Sequence, residues 1–282
     1  MKQYLQVATY NLLNGGRDHE AGRFRWDRWQ QQMTLMRHAD VDVWCVQEGK
    51  YYDEGGEERV LASAAALGAE VRLAPSAHHG CHLLTFVRGP KVRMARFFKD
   101  VGGGTFHHAV SRADVIVKNV PGALRVLNTH LAPFDPEARA AEVKWLTEYG
   151  TRHDTLLVGD LNCEAPGDPE PDSWDWLPAS HYSRHRILNP DGSYGGLDKR
   201  AMHALLAAGF VDPQVQLKLP FARSCGYADR QQLRDHRSDY ILPSRHLRWP
   251  LKACHVLDDS RFRELSDHLP VIATFEYEGG LV

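Results

Sequence analysis

Eight short runs rich in β-branched and aromatic residues are spread over the whole chain, and four helical patterns lie between them. Turn-forming residues bound the runs, as they bound strands, and the runs lie at positions 4–10, 41–46, 82–88, 113–117, 124–128, 155–158, 238–242 and 270–277. Apolar residues recur at helical spacing over positions 26–38, 58–67, 136–149 and 199–208. Strands with interspersed helices predict a layered α/β or α+β domain.

Length and composition are those of a soluble globular protein. The chain has 282 residues, of which 43% are hydrophobic and 25% charged, and this length allows one large domain or two ordinary ones. No apolar stretch approaches the roughly 20 residues that cross a bilayer, and the first residues have a strand pattern rather than that of a secretion signal. Five scattered cysteines without paired spacing predict reduced thiols. We therefore expect a cytoplasmic protein.

The charge balance argues against one class of partner. The net charge is −2 and the pI is near 6.8, so the chain lacks the strongly basic surface of a non-specific nucleic-acid binder. A local basic patch is still compatible with these values. Sixteen histidines are many, but the pairs His78-His79 and His107-His108 have no metal-ligand partners at useful spacing, and we interpret them as loop residues.

One strand end concentrates polar groups. Gly159-Asp160-Leu161-Asn162 directly follows the apolar run at 155–158, and side chains two positions apart lie on the same side of a strand. Asp offers a hard anionic oxygen for Mg²⁺ or a proton, and Asn offers both a donor and an acceptor for a water or a phosphate. Alone, the segment is equally typical of a turn, because Asp and Asn bond their own backbone there.

Five other strand ends have residues of the same kind. They are Asn11, Glu48 after Gln47, His130, Asp239 at the start of a strand, and Asp267 with His268 before the C-terminal strand. One such ending means little, but six at separate strands predict convergence on one pocket.

The six segments together resemble the endonuclease/exonuclease/phosphatase superfamily, which includes pancreatic-type DNases, abasic-site endonucleases, neutral sphingomyelinases, poly(A) deadenylases and inositol polyphosphate 5-phosphatases. The match runs in order from Asn11 to His268, and its most specific parts are Gly-Asp-Leu-Asn at 159–162 and Ser-Asp-His at 266–268. The resemblance implies an α/β fold, a four-layered sandwich in which two mixed β-sheets pack face to face with helices outside. It also favours a single domain over residues 1–282. The stretch 164–196 is rich in Pro, Asp, Ser, Trp and Gly and is too long for an ordinary connection, so we interpret it as a substrate-facing insertion.

The resemblance implies a hydrolytic site that uses a divalent metal. Glu48 would ligate Mg²⁺ or Mn²⁺, with Asn11 beside it as a ligand or as a group that orients the metal-bound water. Asp267 would belong to the metal shell or to a second metal position. Asp160 would act as the base or position the attacking water. Asn162 would hold the phosphate by donating from its amide.

Two histidines complete the implied site. His268 would contact the phosphate and, when protonated, stabilise its charge, with Asp239 holding the ring in one tautomer. His130 would bind phosphate or protonate the leaving group, as in the DNase and sphingomyelinase branches. The chain departs from the family pattern in two places. Leu13 stands where abasic-site endonucleases have an acid, which weakens a DNA-repair interpretation, and His79 stands where deadenylase-like members have Asp, which would leave His130 without a supporting acid.

The sequence constrains the substrate less than the reaction. Arg184 and Arg186 in the insertion are candidate phosphate clamps, and Trp174 and its neighbour Trp176 are candidates for stacking on a base. A second group of candidate clamps comprises Arg223, Arg230, Arg234 and Arg237. The alternative is that the arginines are ordinary solvated side chains and that the tryptophans anchor the loop to the core.

We therefore predict a metal-dependent phosphodiesterase or nuclease that acts on a nucleotide or a nucleic-acid end, with no obligate protein partner. The near-neutral charge favours a small or single-stranded phosphoester over long duplex DNA. A phosphomonoesterase acting on a small metabolite or lipid headgroup is the first alternative. A binding module of the same fold without catalysis is the second.

Overall fold

Two β-sheets form the centre of the molecule, and helices cover their outer faces. The computed structural model describes residues 2–20, 23–227 and 233–278. Its strands are β1 (Lys2–Asn11), β2 (Asp18–Glu20), β3 (Arg23–Arg25), β4 (Val43–Gln47), β5 (Glu70–Ala74), β6 (Leu83–Val87), β7 (Val92–Phe98), β8 (Ala109–Val117), β9 (Leu124–His130), β10 (Thr155–Asp160), β11 (Arg186–Leu188), β12 (Tyr194–Leu197), β13 (Asp239–Pro243), β14 (Leu251–Val256) and β15 (Val271–Glu278). Its α-helices are α1 (Asp27–His38), α2 (Glu58–Leu67), α3 (Pro136–Leu146), α4 (Tyr149–Arg152), α5 (Tyr182–His185), α6 (Arg200–Ala207), α7 (Pro213–Gln216) and α8 (Ser260–Arg263).

Both large sheets are mixed, and each contains one parallel pair. The first sheet has the order β14-β15-β1-β4-β6-β5, and its parallel pair is β1 with β4. The second has the order β13-β10-β9-β8-β7, and its parallel pair is β9 with β10. The carboxyl ends of parallel neighbours meet at one edge of a sheet, so each sheet presents two strand ends side by side.

Strand side chains alternate between two apolar cores. In β1, Leu5 and Val7 pack between the sheets against residues of the second sheet such as Val126, whereas Ala8 and Tyr10 pack on the opposite face under α1 and α2. The outer face of the second sheet packs on α3 and α6. This alternation follows from the two-residue period of a strand. The predicted four-layered sandwich of two mixed sheets is confirmed.

A polar bridge crosses the inter-sheet core just below the strand ends. Gln47 at the end of β4 donates from its amide to Oδ1 of Asn128 on β9 at 3.0 Å, and its Oε1 accepts a hydrogen bond from Thr9 at 3.0 Å. All three side chains are fully buried. Such groups must be paired away from water, so the bridge fixes the first sheet relative to the second immediately before Glu48.

Local sequence determines where α3 begins and what it supports. Asp135 caps the helix by accepting the amide hydrogens of Glu137 and Ala138, and Pro136 occupies the first turn. Arg139, on the first turns of α3, is buried and donates to the carbonyl oxygens of Ala132 and Arg184 at 2.8 and 2.6 Å. The helix thereby holds the chain near residue 184 against the second sheet.

The predicted helix over 136–149 is shorter than expected. It ends at Leu146, and the separate helix α4 begins at Tyr149. Within the described ranges, no helix has the length and hydropathy needed to cross a membrane. The five cysteines are free thiols.

Candidate active site

Asp160 lies at the centre of a row of polar residues on three adjacent strands. On parallel β9 its register partner is His130, and on antiparallel β13 it is Asp239. Gly159 allows this close alignment, because its φ of +148° favours glycine and a Cβ there would collide with the carbonyl oxygen of Thr129. The sheet register therefore brings together three residues that are far apart in sequence.

Hydrogen bonds fix both oxygens of the Asp160 carboxylate. Oδ1 accepts from the Ser238 hydroxyl at 2.5 Å and from the backbone N–H of Asn162 at 3.0 Å, and Oδ2 accepts from the amide of Asn11 at 3.1 Å. Burial alone would raise the pKa of Asp160, but the adjacent His268 and His130 outweigh it and lower the pKa to about 2. Asp160 is therefore an anion across the physiological pH range.

Asn162 has the features of a turn residue and of a site residue together. Its φ is +50°, and its backbone N–H bonds the carboxylate two residues earlier, as in an Asx turn. Its side-chain amide donates to the carbonyl oxygen of Leu131 at 2.9 Å and lines the cavity described below. An amide nitrogen has two hydrogens, so one donor remains for a ligand.

His268 is backed by a buried carboxylate. Its Nδ1 lies 2.8 Å from Oδ2 of Asp239, which also accepts from the Ser224 hydroxyl at 2.7 Å. Its Nε2 is 3.7 Å from Oδ2 of Asp160. Burial would lower the pKa of His268, but the carboxylates of Asp239, Asp267 and Asp160 raise it well above the ordinary value. His268 is therefore built to be an imidazolium.

His130 lies on the other side of Asp160 and has a different support. Its Nε2 is 3.5 Å from the same oxygen, Oδ2 of Asp160. Its Nδ1 is buried and, among the described residues, has no hydrogen-bond partner. The ring stacks on that of His108 with a centroid distance of 4.4 Å, and burial, followed by the neighbouring His130, lowers the pKa of His108 to about 2.

The two histidine pairs of the sequence meet at this point. His107 contacts His108, His78 and His79, with ring centroids 4.7, 4.9 and 5.4 Å apart. All four residues lie in loops, as predicted. They form one histidine cluster at the rim of the site, a convergence that their spacing in the sequence does not predict.

The candidate metal ligands face Asp160 from the first sheet. The side-chain nitrogen Nδ2 of Asn11 donates to Oε1 of Glu48 at 3.2 Å and to Oδ2 of Asp160 at 3.1 Å. The side-chain oxygen Oδ1 of Asn11 accepts the backbone N–H of Leu13 at 3.0 Å. Oε2 of Glu48 accepts the N–H of Asn14 at 2.9 Å. Asp267 lines the same cavity. The side-chain oxygen of Asn11 keeps a second lone pair. Together with the carboxylates of Glu48 and Asp267, it fits a hard divalent cation such as Mg²⁺.

These side chains surround a cavity of about 280 Å³. Eight of the predicted site residues line it: Asn11, Glu48, His130, Asp160, Asn162, Arg184, Asp267 and His268. Asp239 lies behind His268 rather than at the cavity wall. The lining residues that were not predicted from sequence include Lys50, Phe134, His185 and His236, and no motif or spacing in the sequence distinguishes them from other residues of their types.

Two predicted substrate-binding residues lie outside the cavity. Arg186 donates to the carbonyl oxygens of Gly195 and Tyr194 at 2.7 and 2.8 Å and stacks on Trp174, with 5.0 Å from its Cζ to the ring centroid. Both side chains thus hold the insertion together. Arg184 does reach the cavity, and its guanidinium lies 4.6 Å from the ring centroid of the half-exposed Phe134.

The second arginine group consists largely of ion pairs. Arg237 binds Asp168 and Asp212 in a buried cluster at 2.8 and 2.6 Å. Arg223 pairs with Asp235 and Arg234 with Glu164. Arg230 lies outside the described residues, and Trp176 is half-exposed and bonds the carbonyl of Ser173.

Comparisons with known proteins bear on the family of the chain. A model of the Endonuclease/Exonuclease/phosphatase family matches residues 8–268. Among curated proteins, no significant sequence match was found.

Several solved structures share the fold over almost their whole length. An AP endonuclease from Archaeoglobus fulgidus is 21% identical, with a TM-score of 0.61 and coverage of 96% of this chain and 99% of that one. A mannosyl-6-phosphatase from Bacteroides thetaiotaomicron is 16% identical, with a TM-score of 0.63 and coverage of 95% and 98%. ANGEL2, a 2',3'-cyclic phosphatase, is 17% identical, with a TM-score of 0.59 and coverage of 98% and 96%. At these identities the likeness concerns the fold and leaves the substrate open.

Proposed function

The chain belongs to the Endonuclease/Exonuclease/phosphatase family, whose members are phosphoester hydrolases, and from that premise we propose that it is a divalent-metal-dependent phosphodiesterase acting on a nucleotide or a nucleic-acid end. The observation that supports this most is the pairing of two histidines on one oxygen of Asp160, opposite Glu48. Phosphoester hydrolysis needs charge neutralisation, an in-line water and a stabilised leaving group, and this arrangement offers a residue for each.

The attacking water would be oriented by Asp160. A carboxylate with a pKa of about 2 is a weak base at neutral pH, so its main contribution is to accept a hydrogen bond and align the water with the phosphorus. Ser238 and Asn11 hold the carboxylate in place. Glu48, Asn11 and Asp267 would hold Mg²⁺ or Mn²⁺, which when bound supplies positive charge next to the phosphoryl oxygens.

Residues on the other side of the cavity would bind the phosphate and stabilise the leaving group. His268, as an imidazolium held by Asp239, donates from Nε2 to a phosphoryl oxygen, and Asn162 adds an amide donor. His130 donates a proton to the leaving oxygen or binds a second phosphoryl oxygen. Each of these groups is fixed by the sheet register or by a buried partner, which favours transition-state stabilisation over mere substrate binding.

Two features support a nucleotide as the substrate. Phe134 is 49% exposed at the cavity mouth, where a base could stack on its ring, and the Arg184 guanidinium lies beside it. The small cavity fits one nucleotide or a strand end better than a duplex. The same small size favours a second candidate, a phosphomonoesterase for a compact metabolite.

The test is hydrolysis of a matched substrate set: a dinucleotide, a single-stranded oligonucleotide, nucleoside monophosphates and a sugar phosphate, each with Mg²⁺, Mn²⁺ or EDTA. We expect metal-dependent cleavage with kcat/KM for the dinucleotide at least about tenfold above that for any monoester, and loss of activity in EDTA. Full activity in EDTA would contradict the metal requirement. A preference for monoesters would establish the second candidate instead.

The variant Asp160→Asn controls for trace contaminating nucleases. We expect it to lower kcat by on the order of 10³-fold, because the neutral amide loses the charge that orients water and pairs with both histidines. Its thermal unfolding midpoint reports whether it remains folded. A folded variant with wild-type activity would remove Asp160 from the mechanism, and a wild-type protein inactive on every ester would favour a binding module.

A further inference from the structure

A second cluster of metal-binding residue types adjoins the catalytic cavity. It consists of Glu164, His185 and His236, which are 2%, 8% and 4% exposed, and we call it the insertion triad. One ligand atom of each residue lies within 4.8 Å of those of the other two. Glu164 follows β10, His185 ends α5, and His236 precedes β13, so three separate segments converge on this point.

The two imidazoles present nitrogen lone pairs rather than hydrogens. Nδ1 of His236 lies 2.8 Å from the carbonyl oxygen of Arg234, and because a carbonyl only accepts, Nδ1 donates and Nε2 keeps its lone pair. Within the described part of the chain, no hydrogen bond is formed by either ring nitrogen of His185, although the residue is more than nine-tenths buried. One ring nitrogen of a neutral His185 therefore keeps a lone pair for a ligand, and the residue lines the cavity.

The two imidazoles of the triad also lie in contact with each other. The rings meet edge to face, with centroids 5.3 Å apart and an angle of 78°. Two neutral imidazoles beside one carboxylate are a donor set for a transition metal rather than for Mg²⁺, which prefers oxygen ligands alone.

We propose that the insertion triad is a binding site for a transition-metal ion, with Zn²⁺ as the best-matched candidate. Ligand atoms about 2.1 Å from a tetrahedral zinc ion lie roughly 3.4 Å apart. The ligand atoms of the triad lie within 4.8 Å of one another, so a closure of at most about 1.4 Å would suffice. His185 and His236 also line the catalytic cavity, so a bound ion would be reachable from it. The site would fasten the 164–196 insertion to the segment before β13, whether or not the chain hydrolyses phosphodiesters.

Arg234 competes with a metal at this position. Its guanidinium forms an ion pair with Oε1 of Glu164 and lies 5.4 Å from the ring centroid of Trp174. A carboxylate has a second oxygen that can ligate a cation, but the nearby positive charge would weaken binding. Metal affinity at the triad should therefore depend on Arg234.

The first experiment measures zinc stoichiometry in full-length protein. EDTA-stripped protein is dialysed against Zn²⁺ with excess Mg²⁺ to fill oxygen sites, and bound zinc is quantified by mass spectrometry. We expect one tightly held equivalent in the wild type, lost in His185→Ala and in His236→Ala but retained in His203→Ala, an exposed histidine on α6, and in Glu48→Gln. Retention of the equivalent in the His185 and His236 variants, or no bound zinc in the wild type, would overturn the proposal.

Two further measurements test whether the zinc lies elsewhere in the protein. His79→Ala tests the rim histidine cluster, and loss of zinc in that variant instead of the triad variants contradicts the assignment. Circular dichroism of the metal-free variants identifies unfolding. The absorption of bound Co²⁺ reports nitrogen coordination in the folded wild type, and an octahedral all-oxygen spectrum would also overturn the site.

We expect Arg234→Leu to tighten zinc binding at least about fivefold by removing a nearby charge. Unchanged or weaker binding would contradict Glu164 as a ligand.

Discussion

The two histidines beside Asp160 have the same chemistry but opposite surroundings. Both place Nε2 near one oxygen, Oδ2 of Asp160, at 3.5 Å for His130 and 3.7 Å for His268. Behind His268 lies the Asp239 carboxylate, 2.8 Å from Nδ1. Behind His130 lies the ring of His108, which burial keeps neutral. The two histidines are therefore placed alike relative to Asp160, but the residue behind each differs in charge.

The difference indicates a division of labour. A buried imidazolium needs a counter-charge, and the Asp239 carboxylate lies 2.8 Å from Nδ1 of His268. Among the described residues, no carboxylate bonds Nδ1 of His130. We infer that His268 serves as a fixed cation for the phosphoryl group, whereas His130 gains and loses a proton during turnover. This inference makes the two residues distinguishable by experiment.

The largest expected effect separates the two roles by leaving group. With a nucleotide diester, whose leaving alkoxide needs a proton, we expect His268→Ala to lower kcat by about 10³-fold and His130→Ala by about 10²-fold. With a nitrophenyl diester, whose leaving group needs no proton, the defect of His130→Ala should shrink below about tenfold while that of His268→Ala persists. Steady-state kinetics with both esters measures this. Equal defects on the two esters would mean that His130 is not the leaving-group acid.

Removing the charge of Asp239 should have a smaller effect than removing either histidine, and it should appear in the pH dependence. Asp239→Asn lacks the carboxylate that raises the pKa of His268, so the alkaline limb of the kcat/KM profile should move to lower pH by about 1–2 units. The hydrogen bond to Nδ1 is retained by the amide oxygen, which separates charge from geometry. An unshifted profile with a uniformly lower rate would assign Asp239 to ring orientation alone.

The same variant has a predicted effect on stability. A group whose pKa is raised by folding stabilises the protein below its unfolded pKa, about 6.5 for histidine, and that stabilisation is lost as pH rises through the raised value. The free energy of unfolding should therefore differ more between wild type and Asp239→Asn at pH 6 than at pH 10. Urea denaturation at the two pH values measures the difference.

The inner strands of both sheets were predictable from the sequence, and most of the edge strands were not. Of the four edge strands of the two large sheets, β5, β7 and β14 were not predicted. Each exposes charged residues, such as Arg72, Arg96 and Lys252, within its run. Edge strands typically have charges that prevent pairing with other chains, and those charges interrupt the apolar pattern from which strands are recognised.

The site was predictable where it follows strand ends and not where it depends on loops. His130 and Asp160 end neighbouring strands that the register of the second sheet brings together, and Asn11 ends β1 of the first sheet and reaches Asp160 through its side-chain amide. The histidine cluster comes from a loop of the first sheet and a loop of the second, so its members meet only after the sheets pack. The arginines show the same limit, since Arg184 reaches the cavity while Arg186, two residues away, bonds to backbone carbonyls. Charge alone does not indicate which partner a loop arginine will find.

The smallest expected effect concerns His108, the neutral neighbour of His130. If its role is to pack against the His130 ring, His108→Phe should preserve the stacking and change kcat by less than about threefold, with the pH profile of kcat unaltered. The substitution removes only weak contacts, because Nδ1 of His108 is 3.3 Å from both the Ser76 hydroxyl and the His78 carbonyl oxygen. The matched variant His108→Ala leaves a void beside His130 and should lower kcat more than the phenylalanine does, since the ring loses its support. If both variants lose activity equally, then His108 acts through its ring nitrogens rather than by packing. His108 would then support His130 by polar contacts, as Asp239 supports His268.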